Sequence, residues 1–380
     1  MTKTSQSAWR PHLIDPDTGS AIDLASGDIR ATLAAITGDP QTTVLDTLAE
    51  QIDDLLQSRY PSMSSTDRAP LRSQLETQLS RWVYYPWLRA LFRTLPPAEL
   101  REARLARNRN KITAGEQARL AEGTIAIVGL SVGNHIARTL VMEGVGGRFR
   151  LADSDTLALS NLNRLSASIT DLGLSKAVLA ARALFEIDPY LDIEIFPAGV
   201  DPDALDDFLL AGGCEPDLVI EECDDFAVKI GLRDRLRALG IPVLMESSVR
   251  GTLDVERFDL EPERPLLHGL LEGIAADAGP DIDNVKALVA HVLPHMSTRT
   301  RQSIGQVGIT LRSWPQLASE IALGAATATA AARKILLGIP LASGRYVADI
   351  DQWLSGRHVA PGLRNRQFAP MAMTEAGWVE

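Results

Sequence analysis

The chain has 380 residues, 45% of them hydrophobic, and a formal net charge of −11. Such a chain suits a soluble protein with one large domain and a smaller one, and its negative balance argues against a broad nucleic-acid surface, which needs a basic footprint. Its two cysteines, Cys214 and Cys223, are too few for a four-thiolate zinc site or a disulfide framework.

The opening Met1–Ser7 is polar and lacks the apolar core of a signal peptide, which predicts a cytoplasmic protein. Residues 1–105 read as a helical N-terminal region behind a loose polar arm. Thr42–Leu56 repeats apolar residues at helical spacing, and Asp67-Arg-Ala-Pro70 reads as a helix start. Trp82, Tyr84, Tyr85 and Trp87 crowd one segment, either as a small helical core or as a wall facing a substrate or partner.

From 106 to 260, apolar strands alternate with helical patterns. The predicted strands are Thr124–Gly129, Arg148–Asp153, Asp192–Pro197, Leu218–Glu222 and Pro242–Ser247. This alternation predicts βαβ units and an α/β, Rossmann-like, mostly parallel sheet. Leu253–Asp259 alternates with charges and reads as a half-exposed antiparallel strand. Residues 261–380 form a loop-rich α+β part with a proline tract, a long helix at 319–338 and a short strand at Arg345–Asp349. The least polar stretch, Ile321–Leu337, includes Arg333 and Lys334 and reads as a packed helix, not a membrane span.

The chemistry concentrates between Ile125 and Asp224. Gly129-Leu-Ser131-Val-Gly133 joins a strand to a helix, where small residues let backbone N–H groups approach a phosphate. Asp153 ends the next strand, about 20 residues on, where a Rossmann-type fold places a carboxylate on ribose. A dinucleotide dehydrogenase would explain that much. It would not explain Asn161, Asn163 and Arg164 in the following loop, or Lys176 at the next helix start. A triphosphate needs such cations and amide donors. The strand Leu218–Glu222 then delivers Glu221, Glu222, Asp224 and Asp225 to the ligand crevice. Four carboxylates there imply a nearby cation. Mg²⁺ carried with ATP takes one or two carboxylates, with Asp224 as the predicted ligand; Asp225 can serve as a helix cap. His291-x-x-x-His295 has metal-ligand spacing, but Pro294 interrupts it.

These residues carry a resemblance. Gly129-Leu-Ser-Val-Gly133, Asp153-x-Asp155, Ser160-Asn-Leu-Asn-Arg164, Gly173-x-x-Lys176, Ile187-Asp-Pro189 and the Asp224 strand end resemble the adenylation domain of ubiquitin-activating-type enzymes. ThiF-type adenylyltransferases of thiamin and molybdopterin biosynthesis are the bacterial relatives. The likeness implies a Rossmann-like domain that dimerises, with ATP and Mg²⁺ as cofactors; the paired-cysteine zinc site of many relatives is absent, so no zinc is expected. It implies adenylation of a substrate carboxylate, releasing pyrophosphate. It puts Gly129, Ser131, Gly133, Asp153, Asp155, Asn161 and Asn163 around the nucleotide, Arg164 and Lys176 on the phosphates and reacting carboxylate, and Asp224 on the metal. Arg107, Arg109 or Lys111 would cross a dimer contact.

The departures are specific. The glycine loop is one residue short with Ser131 at a usual glycine, Leu165 replaces a common glutamine, and no cysteine follows Cys223. The expected reaction therefore has no later enzyme thioester. Its substrate is a protein or peptide C-terminus or a small carboxylic acid, with neither nucleic acid nor membrane as partner. The rival readings are a non-catalytic nucleotide-binding scaffold and an NAD-dependent oxidoreductase.

Overall fold

Strand β6 (Thr124–Val128) is buried along its whole length, as its unbroken apolar run requires of a central parallel strand. It lies inside a seven-stranded sheet of order β12-β11-β10-β9-β6-β7-β8. The parallel members are β6, β7 (Arg148–Ala152), β8 (Asp192–Phe196), β9 (Leu218–Glu221) and β10 (Val243–Glu246). β11 (Thr252–Glu256) and β12 (Gly344–Val347) extend one edge antiparallel. The computed structural model describes residues 9–14, 21–22, 35–247, 249–271, 301–303, 305–350, 353–354, 372–374 and 377–379. Most of the expected N-terminal arm, the proline tract from Gly279 to Pro294 and the His291/His295 pair lie outside these residues.

Period-2 alternation divides the strands between two cores. Ile125, Ile127, Phe149, Leu151 and Ile220 face one side, where α5 (Gly133–Met142), α6 (Lys176–Phe185) and α9 (Ala318–Leu337) pack. Ala126, Val128, Ala152, Val219 and Met245 face the other, under α7 (Leu205–Leu209) and α8 (Phe226–Leu239). Each fully buried Ile or Leu contributes about 1.5–3 kcal/mol relative to exposure. The alanine run of α9 buries Ala325, Ala328, Ala331 and Ala332, so that helix reads as close packing.

The N-terminal region holds the expected helices, α1 (Leu48–Arg59), α2 (Ser65–Gln78) and α3 (Pro97–Arg104), and adds a five-stranded sheet that the helical reading missed. Its order is β2-β1-β4-β5-β3, with β1 His12–Ile14, β2 Ala21–Ile22, β3 Thr43–Asp46, β4 Arg81–Tyr85 and β5 Ala90–Thr94. Thr42–Leu56 is thus a short strand followed by α1, because Asp46 breaks the pattern and accepts the N–H of Leu48. α2 starts earlier than its proline suggested, since Ser64 accepts the N–H of Asp67 as the N-cap and Pro70 lies inside the helix. The aromatic segment is strand β4 and not helical: Val83 and Tyr85 pack towards the large sheet, while Trp82 and Tyr84 face the opposite core.

Tyr85 Oη donates to Phe185 O at 2.9 Å, Trp87 Nε1 to Glu186 at 2.6 Å, and Arg104 pairs with Asp188 at 3.0 Å. These contacts fasten the N-terminal region to the far end of α6. The Ile187-Asp-Pro189 motif is therefore structural, with Asp188 also accepting the N–H of Tyr190. A cleft of about 370 Å³ at this junction is lined by Val83, Tyr85, Phe92, Leu100, Glu186 and Ile187. A second small helix, α4 (Ala114–Glu122), closed by a Thr113/Glu116 capping box, leads into β6.

Strand β11 is antiparallel as expected, but it is buried throughout where half-exposure was expected. Its charges are paired inside. Arg345 and His268 bond Asp254, holding its carboxyl at about 2 against burial, and Arg233 bonds Glu256 at 2.7 Å.

Candidate functional site

The carboxyl ends of β6, β7 and β9 open on one crevice, where the strand order places β7 and β9 on opposite sides of β6. Gly129 leaves β6 with φ +87°, and a Cβ there would sit 2.4 Å from the carbonyl oxygen of Glu222. Only glycine fits. Gly133 opens α5, and a Cβ on it would meet Ile127 at 2.7 Å. The helix starts without a side-chain cap. The N–H groups of His135 and Ile136 donate to Val132 O, so an anion at this end would be met by Gly133 and Asn134.

Asp153 floors the crevice. One carboxylate oxygen accepts the N–H of Leu130 at 2.7 Å and the other that of Asp155 at 2.8 Å. Each oxygen keeps a lone pair for a further donor. Burial raises the Asp153 pKa above the usual aspartate value, opposed by the Leu130 N–H and by Lys176. Lys176, at 7% side-chain exposure, places its ammonium 2.6 Å from Asp155 and 3.8 Å from Asp153. Its backbone N–H donates to Asp155 O at 3.0 Å, so the strand end and the helix start are locked together.

Arg164 crosses the glycine loop. Its Nε donates to Ser131 Oγ at 3.2 Å and its Nη1 to Asn163 Oδ1 at 2.9 Å. Burial lowers its pKa from the usual guanidinium value, and the charge of Asp224 opposes that shift. Asp224 is exposed on the turn after β9, within electrostatic reach of Arg164. Gly129, Ser131, Gly133, Asp153, Asp155, Arg164 and Lys176 thus meet around one loop, with Asp224 on the opposite wall. Asn161 holds its own loop, and Asn163 supports Arg164 while reaching Gln316. Asn161 Oδ1 accepts the N–H of Ala158 at 2.9 Å, and Asn163 Nδ2 donates to Gln316 O at 2.9 Å. Arg109 donates to Ser58 O on α1 at 2.7 Å.

One sequence expectation changes, and two neighbouring residues gain a structural account. Leu165 is buried with Leu157, Leu174 and Leu179, so the position of the usual glutamine belongs to an apolar cluster under the loop. The four carboxylates after β9 do not share one exposed cation. Glu221 is fully buried and bonded by Lys229 at 2.7 and 2.8 Å and by Arg233 at 2.5 Å. Glu222 turns inward and accepts the N–H of Glu246 at 2.7 Å; burial and the Glu246 charge raise its pKa well above the usual glutamate value. Asp225 caps α8 by accepting the N–H of Val228 at 3.0 Å. Sequence reasoning also missed His135, whose Nε2 bonds the Arg164 carbonyl; burial lowers its pKa. Its place in the first turn of α5 was the available signal.

The residues suit a nucleotide by two observations, the Asp153 carboxylate with an acceptor site left on each oxygen and the buried cation at Lys176. For a metal, Asp224 offers one exposed carboxylate, which is what Mg²⁺ bound mainly by phosphates and water requires. Among the described residues no three His, Cys, Asp or Glu side chains cluster as a self-contained metal site, and no helix is long and apolar enough to cross a membrane.

Comparisons with known proteins bear on the family of the chain. The chain is 43% identical over 352 residues to an uncharacterized protein of Mycobacterium tuberculosis, MT1398, covering 91% of this chain and 46% of that protein. It is 28% identical over 156 residues to the molybdopterin-synthase adenylyltransferase of Haemophilus influenzae, covering 40% of this chain and 62% of that enzyme. The chain therefore spans about half of these relatives' length. The crystal structure of the Escherichia coli tRNA N6-threonylcarbamoyladenosine dehydratase aligns with a TM-score of 0.44 at 20% identity, covering 62% of this chain and 94% of that one. Residues 105–367 match the ThiF family, and the chain belongs to that family.

Proposed function

We propose that the chain catalyses ATP-dependent adenylation of a substrate carboxylate. The observation that carries this reading is the convergence of Lys176, Arg164 and Asp153 on the Gly129 loop. A hydride-transfer site has no use for a buried lysine at that position. The family match and the Haemophilus influenzae relative, an adenylyltransferase by name, support it.

In this reading the substrate carboxylate oxygen attacks the α-phosphorus of ATP. A bond forms from that oxygen to phosphorus, the bond from the α-phosphorus to the bridging oxygen breaks, and pyrophosphate leaves with the electron pair. No general base is needed, because a carboxylate is ionised at neutral pH. Catalysis is positioning and charge stabilisation. Asp153 accepts from the ribose hydroxyls. Lys176 exchanges Asp155 for phosphate oxygens, and Arg164, held by Ser131 and Asn163, presents its fork beside them. The N–H groups at the start of α5 add donors. Asp224 would hold Mg²⁺, which supplies neutralisation of the triphosphate charge when bound.

Cys223 does not suit a thioester in this reading, since burial raises its thiol pKa and its Sγ contacts Glu221, and the Cys214 Sγ is taken up by Arg148 and Arg150. The acyl-adenylate passes instead to an external nucleophile. The substrate is a protein or peptide C-terminus or a small carboxylic acid, and the active form is a cytoplasmic homodimer in which Arg107 or Arg109 reaches the partner's site. The test is substrate-dependent ATP–pyrophosphate exchange with peptides and small carboxylic acids from cell extract. Exchange that vanishes in Lys176→Ala and Asp224→Ala supports the assignment; exchange that persists in both contradicts it.

A further inference from the structure

Glu221 is the least expected residue near the crevice. It ends an apolar parallel strand, yet it is a carboxylate at 0% exposure. Lys229 and Arg233 bond it from α8, and Arg233 continues to Glu256, whose other oxygen accepts the N–H of Leu267 at 2.6 Å. Buried ion pairs of this kind are often no more stabilising than apolar residues of similar size. Stability alone therefore does not account for this one.

The carboxylate has one further partner. Its Oε1 accepts the backbone N–H of Cys223 at 2.9 Å. That bond closes a ring. The chain runs from Glu221 through Cys223 and Asp224 to Asp225, which caps α8. One turn and two turns along α8, Lys229 and Arg233 return to Glu221. Asp224 and Asp225 are the exposed points of the ring, and Asp225 is engaged as the α8 cap. From above, Glu222 anchors the same turn to β10 through the N–H of Glu246, and its carbonyl packs on Gly129.

We propose that Glu221 is a positioning residue that sets the metal-binding edge of the site by fixing the Cys223–Asp225 turn, so that Asp224 is aimed before the metal arrives. The proposal rests on the reading of Asp224 as the metal carboxylate. Pre-set ligands lose less freedom on binding, and groups that orient a metal ligand affect affinity by about 10-fold to 100-fold. Glu221 acts through Asp224 and touches neither metal nor nucleotide.

Two double variants of equal charge isolate the anchor. Glu221→Gln/Lys229→Met keeps an oxygen that can accept the Cys223 N–H. Glu221→Leu/Lys229→Met removes it, while both leave the Arg233–Glu256 pair in place. Titration of Mn²⁺ into the full chain saturated with ATP, followed by electron paramagnetic resonance, reads the metal directly without any carboxylate substrate. The expected result is Mn²⁺ binding about 10-fold weaker in the Leu variant and nearly unchanged in the Gln variant, the size of one lost hydrogen bond that leaves a buried N–H without its partner. Equal affinity in the two variants would overturn the proposal. Asp224→Asn separates the levels. If it leaves Mn²⁺·ATP binding intact, the reading of Asp224 falls and takes the proposal with it. If it weakens binding and the double variants do not differ, only the proposal falls. Amide exchange on the unaltered protein gives a check that needs no variant to fold: the Cys223 N–H exchanges far more slowly than the Asp224 N–H, and equal rates would also overturn the proposal.

Discussion

The wall of the crevice that carries Gly129, Asp153 and Lys176 is held by backbone geometry and close packing, whereas the wall that carries Asp224 is held by buried charge. On the first wall, Gly129 lies against the Glu222 carbonyl, the Asp153 carboxylate takes two backbone N–H groups, and Leu165 fills an apolar cluster beneath the loop. On the second, Glu221, Lys229, Arg233 and Glu256 form a chain of ions within the domain. The first wall can tolerate loss of a charge and keep its shape. The second cannot, because removing one member leaves another charge buried and unpaired.

The comparison predicts different failures on the two sides. Lys176→Ala should lose function and keep structure: pyrophosphate exchange falls by about 100-fold to 1,000-fold, the range for removing a group that stabilises transition-state charge, with thermal unfolding little changed. Arg233→Met should do the reverse. It leaves Glu221 short of a cation and Glu256 unpaired from it, so denaturant unfolding should show a loss of about 3–5 kcal/mol.

The same wall has a pH signature. Burial would raise the Glu221 pKa, but Lys229 and Arg233 hold it at about 2 against an ordinary 4.5. Because the folded value is the lower one, the unfolded chain binds the extra proton as pH falls. The contribution is complete above about 4.5 and is lost as pH falls towards about 2. Acid unfolding curves should show this loss in the wild type and a shallower one in Arg233→Met.

Gly129→Ala tests the packed wall. A left-handed φ and a Cβ at 2.4 Å from a backbone oxygen should cost about 1–3 kcal/mol or more and also distort the phosphate turn. The smallest effect belongs to Asp225→Ala, which removes the α8 cap and should cost about 1 kcal/mol by urea unfolding. A larger drop in Mn²⁺·ATP affinity than in stability would show that the cap also serves the Asp224 turn.

The first wall was legible in the sequence because its signals are local. Gly129, Gly133, Asp153 and Lys176 each lie at a strand or helix end, and the apolar runs between them mark the parallel strands. Arg164 was readable as a cation near phosphate, though its supports on Ser131 and Asn163 were not. The second wall was misread. Glu221 and Glu222 look like two exposed acids beside Asp224, and nothing local reveals that Lys229 and Arg233, one and two helical turns into α8, fold back on Glu221. The N-terminal sheet was missed for a related reason. Short strands such as Thr43–Asp46 and Arg81–Tyr85 offer too few residues to separate period 2 from helical spacing, and their pairing partners lie far along the chain.

The central claim is that the crevice takes ATP for adenylation and not a nicotinamide dinucleotide for hydride transfer. Calorimetric titration with ATP·Mg²⁺ and, separately, with NAD tests it most directly, on the wild type and on Lys176→Ala. The expected result is binding of ATP·Mg²⁺ that weakens at least about tenfold in Lys176→Ala, as loss of a charge-assisted contact requires, and no comparable binding of NAD. Tight NAD binding without ATP binding would contradict it.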